Sequence, residues 1–228
     1  MATIRCENIC KSFGKGNAKT DAVQGISATF STGNFYSIIG KSGSGKSTLL
    51  HLLGGILQPD SGCIYYDDVP IHTMRRSELD KVRRTQVGFV FQDYQLLPEI
   101  TVKENILMPL ILNHSPIDKQ WCAEIMGALD ISDIADKYPH TLSGGEQQRV
   151  AIGRAIIHHP PFFFADEPTG NLDKKTSEAV LNLLLEIRKL YDPMILLVTH
   201  DLDIARSADK LLHIEDGKLC SPLPEVTK

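Results

Sequence analysis

The stretch at residues 40–48, GKSGSGKST, restricts the possible folds more than any other part of the chain. A strand-like apolar run at 35–39 precedes it, and residues 48–53 have helical character before two glycines end the helix. Glycine lets the backbone turn tightly and bring its N–H groups against phosphate oxygens, next to the positive end of the following helix. The order of strand, loop and helix therefore predicts a phosphate loop that binds a nucleoside triphosphate.

Two side chains of this phosphate loop have predicted chemical roles. Lys46 would reach the β- and γ-phosphates, and the Ser47 hydroxyl would ligate Mg²⁺. The alternative is a chance glycine-rich turn, which the flanking strand and helix disfavour. The nucleotide contacts expected here are Gly40, Lys41, Ser42, Gly43, Ser44, Gly45, Lys46, Ser47 and Thr48.

The composition is that of a globular protein of one large domain with room for a subdomain, because 42% of its 228 residues are hydrophobic and 23% are charged. The net charge is −4 and like charges form no long block, so nothing predicts a surface for nucleic acid or anionic lipid. No apolar run approaches the ~20 residues that a membrane span requires. The start lacks a secretory signal, so we expect a cytoplasmic protein whose five scattered cysteines are reduced thiols.

The first thirty residues predict two strands, at 4–10 and 22–30, joined by a loop at 14–17. Phe13 lies between the two strands. Its ring could belong to the core, or it could stack on a nucleobase, an interaction of about 1–3 kcal/mol. The residues alone leave both alternatives open.

Gln92 directly follows a predicted strand at 87–91. The preceding segment predicts a turn at 58–62, a strand at 63–67 and a polar surface helix at 77–85. In a mostly parallel sheet, ligands bind at the carboxyl ends of the strands, so we expect Gln92 to face the same site as the phosphate loop. The alternative is an ordinary solvated loop glutamine.

A second candidate for anion binding is the signature segment, residues 142–146, LSGGE. It follows a stretch of helical texture from about residue 94 to 139, with helical periodicity at 102–112 and 119–129, and it precedes a predicted helix at 145–159. A serine hydroxyl, exposed N–H groups and a helix N-terminus together form an anion cradle. One chain therefore carries two phosphate-facing segments.

Two acids, Asp166 and Glu167, end a buried apolar strand that begins at residue 162. Asp166 would hold Mg²⁺ through water, and Glu167 would act as the general base on the attacking water. Paired acids after a strand can also be a helix cap. The phosphate loop earlier in the chain favours the catalytic interpretation.

The last part of the chain predicts a tight loop at 168–173, a long helix at 174–190 and a strand at 194–199. His200 stands at the end of that strand, the same end at which the acids fall. A single histidine is more often a satisfied surface or core residue, and this alternative stays open. A strand at 210–215 and a turn at 216–217 complete the prediction.

The order of these segments resembles the nucleotide-binding domain of ABC transporters, and the match spans nearly the whole chain. The resemblance implies an α/β P-loop NTPase fold with a mostly parallel core sheet, an N-terminal antiparallel β subdomain and an inserted α-helical subdomain at about 94–155, all within a single domain at 1–228. It also implies a head-to-tail homodimer with two ATP molecules between the copies. No nucleic-acid partner is expected.

The resemblance carries residue roles as well. Phe13 would stack on adenine, Gln92 would bind Mg²⁺ and contact the membrane partner, Glu167 would activate water, and His200 would contact the γ-phosphate. The residues that would contact the nucleotide of the opposite copy are Ser143, Gly144, Gly145 and Glu146. Those expected to communicate across the dimer are Asn171, Leu172 and Asp173, and the expected Mg²⁺ ligands are Ser47, Gln92 and Asp166.

Within the family, residues 166–173 and 142–155 resemble most closely the macrolide exporters, lipoprotein-release ATPases and antimicrobial-peptide resistance transporters, and a cell-division ATPase shares them. The first hypothesis is an ATPase subunit that drives a separate membrane permease from the inner face of the cell membrane. The second is a regulatory module that signals to a membrane partner without moving a solute. A soluble DNA-repair or translation ATPase is disfavoured, because the sequence shows neither a long coiled coil nor a second motor.

Overall fold

The computed structural model describes residues 1–170 and 172–220. The chain divides into two compact units, the first formed by Met1–Asp80 with the segment from Met194 onward and the second by Lys81–Pro193. The strands are β1 (Thr3–Phe13), β2 (Thr20–Ser31), β3 (Phe35–Ile39), β4 (Ser61–Tyr66), β5 (Val69–Pro70), β6 (Val87–Val90), β7 (Phe162–Asp166), β8 (Met194–Val198), β9 (Lys210–Glu215) and β10 (Lys218–Cys220). The α-helices are α1 (Lys46–Leu53), α2 (Arg76–Gln86), α3 (Val102–Leu112), α4 (Lys119–Ala128), α5 (Gly144–Ile156), α6 (Lys174–Tyr191) and α7 (Leu202–Ala205).

An antiparallel sheet in the first unit has the strand order β2-β1-β4-β5. Ile4 of β1 lies opposite Phe30 of β2 and Tyr66 of β4. All three side chains are buried, because residues paired across neighbouring strands point to the same face of the sheet. This sheet is the predicted N-terminal antiparallel β subdomain.

The first unit also contains a mixed sheet in which the strands follow the order β10-β9-β3-β8. β3 runs parallel to both β8 and β9, and β10 returns antiparallel to β9. Phe35 and Ile38 of β3 are fully buried, as expected for a parallel strand that is covered on both faces. Because β3 and β8 are parallel and adjacent, the residues that follow them emerge at one edge of the sheet.

The second unit contains the parallel pair β6 and β7, with Val90 opposite Ala165. Its helices pack closely at Gly153 of α5, where an added Cβ would lie 2.8 Å from Leu129 Cδ1 and 3.4 Å from Ile106 Cγ1. A glycine at this position lets α5 and α3 approach each other. The periodicity at 102–112 and 119–129 is confirmed by α3 and α4, whose N-termini are capped by the side chains of Thr101 and Asp118.

The predicted strands and longer helices are confirmed with shifts of a few residues at their ends, and the α/β class is confirmed with them. Among the strands and α-helices given above, three short ones were not predicted: β5, α7 and β10. They contain two, four and three residues, which is too short for a hydrophobic period to be visible in the sequence. Within residues 1–170 and 172–220, no helix is both long and apolar enough to cross a lipid bilayer.

Candidate nucleotide site

The phosphate loop connects β3 to α1, as the sequence predicts. The Lys46 side chain is buried within it, and its ammonium donates hydrogen bonds to the carbonyl oxygens of Gly40 at 2.9 Å and Lys41 at 2.8 Å. These bonds hold the ammonium inside the turn of the loop instead of in open solvent. A cation fixed in this way is placed to meet the phosphates of a nucleotide.

Two glycines of the loop are required by close contacts as well as by conformation. Gly45 has φ +103°, and a Cβ built on it would collide with the carbonyl oxygen of Ala22 in β2. A Cβ on Gly40 would collide with the carbonyl oxygen of Ile214 in β9. The loop is therefore wedged between neighbouring backbones, and only glycine fits at these two positions.

The start of α1 fits an anion. Its N-cap residue is Gly45, so no side chain caps the N–H groups of the first turn. The Ser44 hydroxyl beside it is buried and has no hydrogen-bond partner among the described residues. Since a buried polar atom without a partner is costly, both features favour a ligand that accepts or donates hydrogen bonds, such as a phosphate.

His200 emerges at the same sheet edge as the phosphate loop. Val198 of β8 lies opposite Ile38 of β3, and the Thr199 amide donates to the Ile38 carbonyl oxygen at 3.2 Å. The imidazole of His200 is on an exposed residue one position further on. The structure thus brings His200 and the start of the phosphate loop to one edge of the β3–β8 pair.

Phe13 is an exposed residue at the end of β1, with 44% of its surface accessible. Its ring centroid lies 5.9 Å from the Lys11 ammonium. Phe13 pairs with Thr20 of β2, two residues before Ala22, whose carbonyl contacts Gly45. The core interpretation of Phe13 is therefore wrong, and the ring lies on the hairpin that borders the phosphate loop.

The second unit carries the acids and Gln92 on neighbouring strand ends. Asp166 ends β7 and is 7% exposed, and Glu167 follows it with φ +49°, a left-handed conformation that turns the chain sharply after the strand. Gln92 follows β6, which runs parallel to β7 in register. The structure brings Gln92, Asp166 and Glu167 to one edge of this strand pair.

The signature segment forms the N-terminus of α5. The Ser143 hydroxyl donates to the Glu146 carboxylate at 2.6 Å, and the Ser143 amide donates to the same carboxylate at 2.7 Å. In return, Ser143 Oγ accepts from the Glu146 amide at 3.3 Å, which completes a capping box. Hydrogen bonds from the Ser143 hydroxyl and amide lower the pKa of Glu146, so its carboxylate is charged at neutral pH.

The start of α6 and the residue Leu172 before it lie close to the signature segment. A Cβ on Gly145 would lie 2.8 Å from Thr176 Cγ2, and a Cβ on Gly144 would lie 3.8 Å from Leu172 Cδ2. Thr176 donates its hydroxyl and its amide to Asp173, the N-cap of α6, at 2.6 and 3.1 Å. Leu172 thus lies close to the signature segment, Asp173 is linked to it through Thr176, and Asn171 lies outside the described residues.

The donor set of the predicted metal ligands suits Mg²⁺, because hydroxyl, amide and carboxylate oxygens are the ligands that this cation prefers. Among residues 1–170 and 172–220, no cluster of three or more His, Cys, Asp or Glu could hold a metal ion. Mg²⁺ is commonly bound by one or two carboxylates and completed by substrate phosphates. A single buried carboxylate, Asp166, fits that mode.

One further contact has no local signal in the sequence. Arg154, near the end of α5, donates to the backbone carbonyl oxygens of Tyr94 at 2.8 Å and Gln95 at 2.5 Å. A basic residue in the last turn of a helix is explained by the helix dipole alone. Its actual partners are 59 and 60 residues away in the chain and belong to an irregular loop, so no local pattern could have identified them.

Comparisons with known proteins agree with this geometry. The sequence pattern of the family described as ABC transporter matches residues 23–170, more than half of the chain. The dimeric structure of a post-hydrolysis state of the ATP-binding cassette MJ0796, bound to ADP and Pi, is 33% identical over 99% of both chains, with a TM-score of 0.91.

Two further solved structures are similar. A dimeric structure of MJ0796, described as a bacterial ABC transporter cassette, is 34% identical over 99% of both chains, with a TM-score of 0.89. The structure of cbiO1 from Clostridium perfringens, described as part of the ABC transporter complex cbiONQ, is 30% identical over 96% of this chain and 87% of that chain, with a TM-score of 0.83. The chain therefore belongs to the ABC transporter family and is an ATP-binding ATPase domain of that family.

Proposed function

We propose that two copies of this chain enclose two ATP molecules and hydrolyse them to drive a separate membrane permease. The observation that carries the proposal is the presence of two anion cradles in one chain, the phosphate loop before α1 and the signature segment before α5. Each ATP would lie between the phosphate loop of one copy and the signature segment of the other. The dimeric structures of MJ0796, one of them bound to ADP and Pi, support this arrangement.

The proposed chemistry is transfer of the γ-phosphoryl group to water. Glu167 would take a proton from the attacking water as the bond between the γ-phosphorus and the β–γ bridging oxygen breaks, which gives ADP and phosphate. Lys46 would bind the β- and γ-phosphates, and His200 would contact the γ-phosphate. The phosphate loop fits this role, because its buried lysine and uncapped helix start provide positive charge and N–H donors.

Magnesium belongs to the same proposal. Ser47, Gln92 and Asp166 would hold the ion, and a bound Mg²⁺ would neutralise charge on the phosphate oxygens. Asp166 is the strongest candidate among them because it is a carboxylate at a buried strand end. Gly144, Gly145 and Glu146 would contact the phosphate of the opposite copy together with Ser143. Leu172 would relay changes between the copies because it lies close to Gly144, and Asp173 would do so through Thr176, which lies close to Gly145.

The permease would bind the loop that follows Gln92. Leu97 in this loop is 43% exposed, yet its backbone is fixed by Asn105, whose side chain accepts from the Leu97 amide at 2.8 Å and donates to the Leu97 carbonyl at 3.0 Å. A rigid backbone that presents an exposed apolar side chain is suited to docking a partner. The description of cbiO1 as part of the ABC transporter complex cbiONQ supports a membrane partner. The proposed site of action is the inner face of the cell membrane.

For the substrate, we propose export of, or resistance to, peptides, antimicrobials or lipoprotein-type molecules. The support is the resemblance of residues 166–173 and 142–155 to that subgroup. The alternative is a signalling or cell-division complex in which the same motor acts on a membrane partner without moving a solute. In either case the chain would act as one functional domain at 1–228, with a helical subdomain at about 94–155.

The test is hydrolysis of ATP by the purified chain in the presence of Mg²⁺, compared with the Lys46→Ala variant. The substitution removes a charged contact to the β- and γ-phosphates, so we expect hydrolysis to be abolished and nucleotide binding to weaken. Lys119→Ala is the matched control, because Lys119 is an exposed lysine at the start of α4 and is not among the expected nucleotide contacts. Wild-type turnover in the Lys46→Ala variant would contradict the proposal.

A further inference from the structure

Arg154 contacts a loop whose backbone is under strain. Tyr94 and Gln95 both have positive φ, at 58° and 53°. A left-handed backbone conformation is unfavourable for residues other than glycine. Two such residues in succession persist only where surrounding contacts enforce the conformation. The Arg154 guanidinium supplies such contacts, because it donates one hydrogen bond to each of the two carbonyl oxygens.

The same loop also touches the other end of α5. The Tyr94 phenol oxygen lies 3.1 Å from the position that a Cβ of Gly144 would occupy. Gly144 and Arg154 are ten residues apart, about 15 Å along the helix axis. Tyr94 therefore lies along α5, with its backbone bound near the last turn and its side chain against the first residue.

This geometry joins two segments that the proposed function needs. Gln92 lies two residues before Tyr94, and the turn between them is closed by a hydrogen bond from the Tyr94 amide to the Phe91 carbonyl at 3.1 Å. Ser143 immediately precedes Gly144. The Arg154 contacts thus fix the loop that carries Gln92 relative to the helix that carries Ser143.

We propose that Arg154 is a positioning residue that holds the Gln92 loop against α5, so that Gln92 and the signature segment move as one body. The inference rests on the proposed function for its effect on hydrolysis, but the contact with the loop is independent of any nucleotide. A guanidinium is suited to this role because its planar donors reach two carbonyls at once. The ammonium of a lysine is a single point of charge and would not replace it.

The first measurement is hydrogen exchange of the loop amides without nucleotide, compared between the native chain and Arg154→Met. Methionine keeps much of the length of the side chain and removes the donors. We expect exchange at residues 92–97 to rise about tenfold or more while exchange in β7 stays unchanged. Unchanged exchange in the loop would overturn the proposal, whether or not the chain hydrolyses ATP. Arg154→Lys serves if the methionine variant does not fold, with the same expectation.

The second measurement is the kinetics of hydrolysis, where we expect Arg154→Met to lower kcat about tenfold and to change the KM for ATP by less than about twofold. The matched control is Arg76→Met on the exposed start of α2, which we expect to keep native values. The decisive variant adds Gln95→Gly to Arg154→Met. Glycine accepts positive φ without strain, so part of the lost kcat should return.

The outcomes separate the two proposals. If Gln95→Gly does not restore kcat, Arg154 acts through packing and not through the loop conformation, and the positioning role is wrong. A different result is that the native chain hydrolyses no ATP, while hydrogen exchange of the amides at residues 92–97 changes in Arg154→Met and again when Gln95→Gly is added. In that case the positioning role stands and the proposed function fails.

Discussion

The Ser143 hydroxyl donates to the Glu146 carboxylate at 2.6 Å, so the serine that would bind the γ-phosphate of the opposite copy already has an anionic partner within its own helix. Under the proposed function, the phosphate must compete with that carboxylate and approach its negative charge. A glutamine in place of Glu146 would remove this negative charge, and its side-chain oxygen could still accept the hydrogen bond from the Ser143 amide.

We therefore expect Glu146→Gln to tighten the ATP-dependent dimer by about twofold to tenfold. The measurement is the dimer dissociation constant at saturating ATP, in a background in which hydrolysis is blocked. Glu104→Gln is the matched control, because Glu104 forms the same capping box with Thr101 at the start of α3. Equal effects of the two substitutions would contradict a role for the Glu146 charge.

Glu167→Gln should trap a dimer that holds two ATP molecules. Glutamine is nearly isosteric and leaves the phosphate contacts in place, but it removes a general base that contributes about 10²–10⁴-fold to the rate. Size-exclusion chromatography with ATP and Mg²⁺ should show twice the monomer mass. Adding Ser143→Arg should restore the monomer by blocking the second cradle, and a Glu167→Gln variant that stays monomeric or hydrolyses ATP at the native rate would exclude this assignment.

Phe13→Ala should raise the KM for ATP and change kcat little, because stacking binds the substrate and the transition state equally. The loss of about 1–3 kcal/mol of stacking predicts a KM increase of about 5-fold to 150-fold. Phe13→Tyr keeps the ring and should keep the native KM. Since Phe13 is exposed, a change in KM cannot be attributed to a damaged core. The assay is steady-state hydrolysis, and an unchanged KM for Phe13→Ala would remove the stacking role.

Leu97→Asp should leave the hydrolysis of the isolated chain intact and abolish co-purification with the permease. The side chain is exposed and the backbone contacts to Asn105 do not depend on it. Leu202→Asp on α7 is a control of similar exposure, at 53%. Retained coupling in the Leu97 variant, measured as permease-stimulated hydrolysis, would argue against this docking surface.

Stability should fall as the pH falls from neutral to mildly acid, because of His158. Burial lowers the pKa of His158 to about 4, and its Nε2 lies 3.2 Å from the Val87 carbonyl oxygen. In the unfolded chain the pKa is about 6.5, so below that pH the unfolded state binds a proton that the folded state does not. The stabilisation is complete above about pH 6.5 and is lost progressively down to about pH 4.

As the pH falls from about 7.5 to about 5, His158 alone should lower the free energy of unfolding by about 2 kcal/mol. His158→Gln should flatten that part of the pH dependence, because the glutamine amide can donate to the same carbonyl but does not titrate. Urea denaturation at the two pH values gives the comparison. An equal slope in both proteins would show that other groups carry the acid sensitivity.

Local patterns were sufficient for much of the site. The glycines of the phosphate loop, the apolar strand that ends in Asp166 and the Ser-x-x-Glu spacing of the signature segment each specify a backbone conformation through contacts within a few residues. Strand ends that carry Gln92, Asp166 and Glu167 could be placed at one edge because parallel strands align their carboxyl ends. Such features are determined by backbone geometry and by hydrogen bonds between residues close together in the chain, so they can be predicted from local sequence.

Other features depended on the tertiary structure. Phe13 could be core or surface until the hairpin was placed, because an aromatic residue satisfies both environments and only its neighbours decide. Arg154 has the local setting of a dipole-stabilising cation, yet it binds a strained loop about sixty residues earlier in the chain. The sequence by itself determined the helices and strands and the reactive residues at their ends. The contacts between elements were decided by packing, because they join residues that are far apart in the chain and share no local pattern.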